Sequence, residues 1–148
     1  MKPGADAPDP PGAPRHAQGL LDTSTLILLG RLPDGAALPS EPMISAVTLA
    51  ELSVGPLVAA TARERAARQA HLQQAEADFE PLPFDVDAAR AFGRVAASLR
   101  RRGRKPAARA YDAMIAAVAL SRGLPVYTCN PDDFLGVDGL EVVAIKVP

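Results

Sequence analysis

Four acidic residues, Asp22, Glu51, Asp112 and Asp133, each stand where a short apolar run meets a helix-like segment. The chain offers little else for catalysis: two distant histidines, His16 and His71, and one cysteine, Cys129. Carboxylates gathered at strand ends repel one another unless a cation lies among them, and an all-oxygen set suits a hard ion such as magnesium. The chemistry that follows is magnesium-dependent work on phosphate. No Cys and His pairing points to zinc. Cys129 has no adjacent His or Lys to activate its thiol and reads as a small buried filler. His71, among the polar residues Gln73, Gln74 and Glu76, is given no role.

Each acid also has an ordinary explanation. Asp22 suits a turn that bonds its own backbone before a helix. Thr48-Leu49-Ala50-Glu51 matches a capping box, in which the glutamate returns to the cap's amide, and on spacing alone that reading is the better one for Glu51. Asp112 is the one charge between Ala110 and Leu120, a stretch otherwise built for burial. Desolvated and unpaired it would cost several kcal/mol, so it needs a cation or donors, unless it caps a shorter helix starting at Ala113. Asp132 and Asp133 follow Asn130-Pro131, and Asn, Pro and Asp are all common turn residues.

The elements that must position these acids alternate between short apolar runs and longer helical stretches, the pattern of a parallel sheet covered by helices. A strand over Gly19 to Leu21 leads into Asp22, with Ser24 or Thr25 capping a helix to about Arg31. Residues 33–42 form a loop. A short strand or turn over Met43 to Ala46 precedes a helix entered at Thr48 and interrupted at Gly55-Pro56. A polar helix spans Thr61 to about Phe79, and a strand is expected at Leu82 to Phe84. Asp85 caps a helix to about Arg102, and Ala107 to Arg122 forms the most apolar helix, stopped by Gly123 and Pro125. Val126 to Thr128 and Glu141 to Ile145 supply the last strands.

Composition bounds the remainder. At 148 residues the chain is one domain able to bury most of its unfolded surface, and 16 basic against 17 acidic residues give it no bulk attraction for nucleic acid. Residues 1–18 form a Pro-, Gly- and Ala-rich tail that cannot fold alone and has no apolar segment of a secretory signal. No run is long enough to cross a membrane, and the single cysteine fits a reducing compartment, so a cytoplasmic protein is expected.

In order and spacing, four segments resemble the PIN-domain ribonucleases, and among them the VapC-type toxins of bacterial toxin–antitoxin pairs. They are Leu20-Leu21-Asp22-Thr23-Ser24, Ser45 to Leu52, Tyr111 to Ala117, and Thr128-Cys129-Asn130-Pro131-Asp132-Asp133-Phe134. The resemblance implies a three-layer α/β/α fold around a parallel sheet over residues 19–148. It makes Asp22 and Asp112 the principal magnesium ligands, with manganese as a substitute, and Glu51 and Asp133 their companions. It thereby reverses the preference for a capping role at Glu51. Ser24 and Thr128 would brace the carboxylates, and the fourth position stays open among Asn130, Asp132 and Asp133. It further implies an RNA substrate, a VapB-like antitoxin, a homodimer and inhibition of translation. The alternatives are a PIN nuclease of RNA processing and a non-catalytic PIN-like interaction module.

RNA must be held beside a negative pocket, and Arg100, Arg101, Arg102, Arg104, Lys105 and Arg109 place six cations in ten residues just before Asp112. With no Trp, two Tyr and four Phe, an extended stacking platform is not expected. Other magnesium and nucleotide folds fit less well. Ser24 stands where a haloacid dehalogenase-type phosphatase needs a second aspartate, and Asp22-Thr23-Ser24 is no Gly-rich dinucleotide turn.

Overall fold

The computed structural model describes residues 16–33, 36–105 and 109–147. Most of the expected tail, residues 1–15, lies outside that set, and so does the expected helix start at Ala107. Four strands, β1 (Gln18–Leu21), β2 (Glu41–Met43), β3 (Val126–Thr128) and β4 (Val142–Ala144), form one sheet in the order β2-β1-β3-β4. All three pairings are parallel. Five α-helices accompany them: α1 (Thr23–Leu28), α2 (Ala46–Leu57), α3 (Ala62–Asp78), α4 (Val86–Arg101) and α5 (Ala110–Arg122).

Alternation along the strands divides the core in two. Leu20 and Val126 pack with Ala88, Ala91, Val95 and Leu99 of α4 and with Ile115 to Ala119 of α5. Their neighbours Leu21, Tyr127 and Val143 face the other way, onto Leu52 of α2, Ala75 of α3 and Leu26 of α1. Because β3 and the Leu20-Leu21 end of β1 are covered on both faces, their residues are buried without alternation. The result is the expected three-layer arrangement.

Two glycines have steric reasons. A Cβ on Gly19 would run into the fully buried ring of Tyr127. Gly123, at φ 65°, ends α5 in the left-handed conformation, and Leu124 N–H returns to Ala119 O at 2.9 Å.

Several expected boundaries move. Helix α2 begins at Ala46 and runs through Pro56 to Leu57. Proline removes one intrahelical donor, but here it sits in the last turn, where Arg68 Nη1 donates to Gly55 O at 3.0 Å. The strand expected at Leu82 to Phe84 is a single bridge from Leu82 to Ser45. Pro81 and Pro83 flank Leu82 and have no N–H to extend the ladder.

Candidate active site

The sheet order reverses between β1 and β3, since the chain passes from β1 out to β2 and then back across to β3. In open parallel sheets the crevice beyond the strands' C-terminal ends at such a reversal is where ligands bind. Asp22 and Thr128 lie on its two sides. The Asp22 side chain is 2% exposed, and Oδ1 accepts from Thr25 N at 3.1 Å. Asp22 is therefore the cap of α1, in place of Ser24 or Thr25.

Its second oxygen belongs to a closed ring of hydrogen bonds. Thr128 Oγ1 donates to Asp22 Oδ2 at 2.7 Å and accepts from Asn130 N at 2.9 Å. Asn130 Nδ2 donates to Ser24 Oγ at 3.1 Å, and Ser24 Oγ donates to Asp22 Oδ2 at 3.3 Å. Ser24, Thr128 and Asn130 thus fix the carboxylate's orientation. Each oxygen has two acceptor sites, so Oδ1 keeps one beyond its capping bond.

Glu51 lies in the second turn of α2, too far along to close a capping box. The cap is Ser45, whose Oγ accepts from Thr48 N at 3.3 Å. Glu51 Oε1 instead accepts from Thr23 Oγ1 at 2.7 Å, and Thr23 Oγ1 lies 3.1 Å from Thr48 Oγ1. A hydroxyl has one proton, so with Thr23 donating to Glu51, Thr48 must donate to Thr23. Burial pushes the Glu51 carboxyl above the ordinary range; the Thr23 bond opposes that, and the Asp22 charge adds to it.

Asp112 stands in the first turn of a helix that already begins at Ala110, so it caps no shorter helix. Its carboxyl is pushed up to about 6, first by burial and then by the charges of Asp133, Glu51 and Asp22, while Arg109 pulls it down. Four acids from four separate segments therefore share one electrostatic pocket. Among the two neighbours on the turn after β3, Asp133 is the one that acts on Asp112, whereas Asp132 is exposed. Asp133 Oδ1 accepts from Arg109 Nη1 at 2.8 Å.

The pocket is an open arrangement. Among the described residues no three His, Cys, Asp or Glu side chains converge as a ready metal cage. Asp22, Glu51 and Asp133 are each drawn towards a donor of their own. The set nevertheless fits a hard divalent cation in its all-oxygen chemistry and in the repulsion a cation would relieve. A groove of about 530 Å³ lies apart, lined by Leu26, Leu29, Leu52 and Phe79 together with Arg31 and Asp78, and contains none of the four acids of the site.

The basic run divides by what it touches. Arg101 and Arg102 reach Asp138 at 2.7 and 3.0 Å, and Arg104 Nη1 donates to Leu135 O at 2.8 Å. These three arginines join the end of α4 to the loop after β3. Among the described residues, the side chains of Arg100 and Lys105 form no ion pair, and both are exposed. Sequence reasoning missed Thr23, Thr48 and Thr25, whose Oγ1 accepts from Cys129 N at 3.0 Å. Thr23 beside Asp22 was the available signal. Cys129 itself is partly exposed and packs against the core that contains Leu21.

Residues 20–140 match the PIN domain family. The chain belongs to that family. It is 48% identical to "Ribonuclease VapC5" of Mycobacterium tuberculosis (strain ATCC 25618 / H37Rv) over 131 residues, 87% of this chain and 94% of the relative. It is 27% identical to "Ribonuclease VapC1" of Rickettsia felis over 130 residues, 86% of this chain and 96% of that one. The crystal structure of VapBC-5 from Mycobacterium tuberculosis, a member of the VapBC family of toxin–antitoxin systems, superposes with a TM-score of 0.75 at 45% identity. That likeness covers 86% of this chain and 98% of the solved one. In this PIN domain the four acids come from the β1–α1 junction, α2, α5 and the turn after β3. None of its described helices is long and apolar enough to cross a membrane.

Proposed function

We propose that this PIN domain is a magnesium-dependent endoribonuclease and the toxin of a VapBC-type toxin–antitoxin pair, acting to inhibit translation. The observation that carries the chemistry is the half-buried Asp112 carboxyl, pushed up to about 6 with Asp133, Glu51 and Asp22 all acting on it. The relatives named as ribonucleases and the solved toxin–antitoxin neighbour support the activity and the partner.

Asp22 and Asp112 are the principal ligands for magnesium, with manganese able to replace it. When bound, the ion neutralises a substrate phosphate and acidifies water. The protein's own groups do the rest. Thr128 and Ser24 hold Asp22 Oδ2 in place, so the ligand does not have to be ordered when substrate arrives. Glu51 is the group best placed to take a proton from the attacking water. Its Oε1 is held by Thr23, and Oε2 accepts no hydrogen bond among the described residues. Asp133 completes the pocket. Arg100, Lys105 and the neighbouring arginines grip backbone phosphates as a salt-sensitive surface.

A VapB-like antitoxin covers the acidic crevice, and the active form is a homodimer. The test is incubation of the purified protein with mixed cellular RNA in magnesium. Internal cuts that disappear with EDTA and return with added magnesium are expected; intact RNA throughout contradicts the proposal. Growth arrest on expression, relieved by the product of the neighbouring gene, separates a toxin from a nuclease of RNA processing.

A further inference from the structure

We propose that Arg109 is a positioning residue that holds Asp133 neutralised at the edge of the acidic pocket and thereby limits how tightly the pocket takes a divalent cation. The inference rests on the reading of Asp22 and Asp112 as metal ligands. Arg109 occupies the cap position of α5 yet makes no side-chain capping bond there. A cation is disfavoured at a helix N-terminus, where the dipole is already positive, so helix stability does not explain it. Its guanidinium lies 2.8 Å from Asp133 Oδ1, and the two side chains are 36% and 38% exposed, open to an incoming ion. The other arginines of the run that bond to the loop after β3 reach Asp138 and Leu135, beyond the acids. Among the described residues, Arg109 is also the cation whose charge acts on Asp112 and draws its pKa down.

With Asp133 paired, the pocket's effective charge comes from Asp22, Glu51 and Asp112. Losing Arg109 releases a fourth carboxylate into the same space. Metal affinity must then rise, even though the variant has lost a polar contact. A residue that only supported the loop would do the reverse, because its loss would disorder Asp133 and weaken binding.

The experiment is titration of the full-length protein with manganese alone at pH 8, where Asp112 is ionised, followed by water-proton relaxation. Arg109→Ala is expected to bind manganese about three- to ten-fold more tightly than wild type, the scale of one partly screened unit charge. Arg109→Gln should do the same, which covers the case in which the alanine variant folds poorly, and Arg109→Lys should stay near wild type. Asp133→Asn, which leaves Arg109 unpaired, should bind more weakly. The double variant Arg109→Ala with Asp133→Asn removes the pair as a unit and should return to within about two-fold of wild type. Equal or weaker binding in folded Arg109→Ala and Arg109→Gln overturns the proposal. If wild-type binding is not reduced by Asp112→Asn, the metal-ligand reading itself falls, and this inference with it.

Discussion

At Asp112 two costs add, partial burial and the repulsion of three neighbouring carboxylates, and both favour the protonated form. The folded-state value of about 6 lies above the ordinary 3.8, so between these values the folded protein binds more protons than the unfolded chain. Stability of the metal-free protein must therefore fall as pH rises from about 4 to about 6, and the raised Glu51 pKa acts in the same direction. Thermal melts in EDTA across this range should show a falling Tm, and Asp112→Asn should flatten the curve and melt higher at pH 7. A Tm that rises over the same window contradicts the shared-pocket geometry. At Thr128 the loss is of a different kind: Thr128→Val leaves Asp22 Oδ2 without its shortest bond in a buried site. It should cost about 1–3 kcal/mol by urea melt.

Among the elements, β1 and its exit into α1 carry most of the site. Asp22 caps α1 and faces the crevice at once, and two substitutions separate these roles. Asp22→Asn preserves a good cap and removes the charge, whereas Asp22→Ala loses the cap as well and should be less stable by about 1 kcal/mol in denaturant melts. Equal stability of the two variants removes the structural role. Gly19→Ala tests the strand itself: its Cβ would meet the Tyr127 ring, and a loss of about 1–3 kcal/mol is expected.

The same elements show what the sequence made legible. Leu20-Leu21 before Asp22 and the uninterrupted apolar face of α5 declared their positions, because burial writes itself into side-chain type. The cap of α1 was misplaced because Asp22, Ser24 and Thr25 are all good capping types, and local composition does not rank them. The capping box at Glu51 failed because Ser45, three residues before Thr48, had already taken that amide. The Thr23–Glu51 and Arg109–Asp133 contacts depend on how α1 meets α2 and how the loop after β3 returns to α5. No spacing along the chain encodes either.

For the whole molecule, near-neutral net charge means that RNA, on the proposed function, would be gathered locally, with Asp138 competing for two of the arginines proposed to hold it. Asp138→Asn should free Arg101 and Arg102, tighten binding of an uncleavable RNA at low salt and steepen its salt dependence, as read by fluorescence anisotropy. An unchanged salt slope would place the RNA elsewhere. The proposed central role of Asp22 and Asp112 is to hold together the ion on which RNA cleavage would depend. Its most direct test compares wild type, Asp22→Asn and Asp112→Asn for magnesium-dependent RNA cleavage, after circular dichroism shows all three folded. Losses on the order of a hundred-fold or more in both variants are predicted; cleavage equal to wild type in either one contradicts the account.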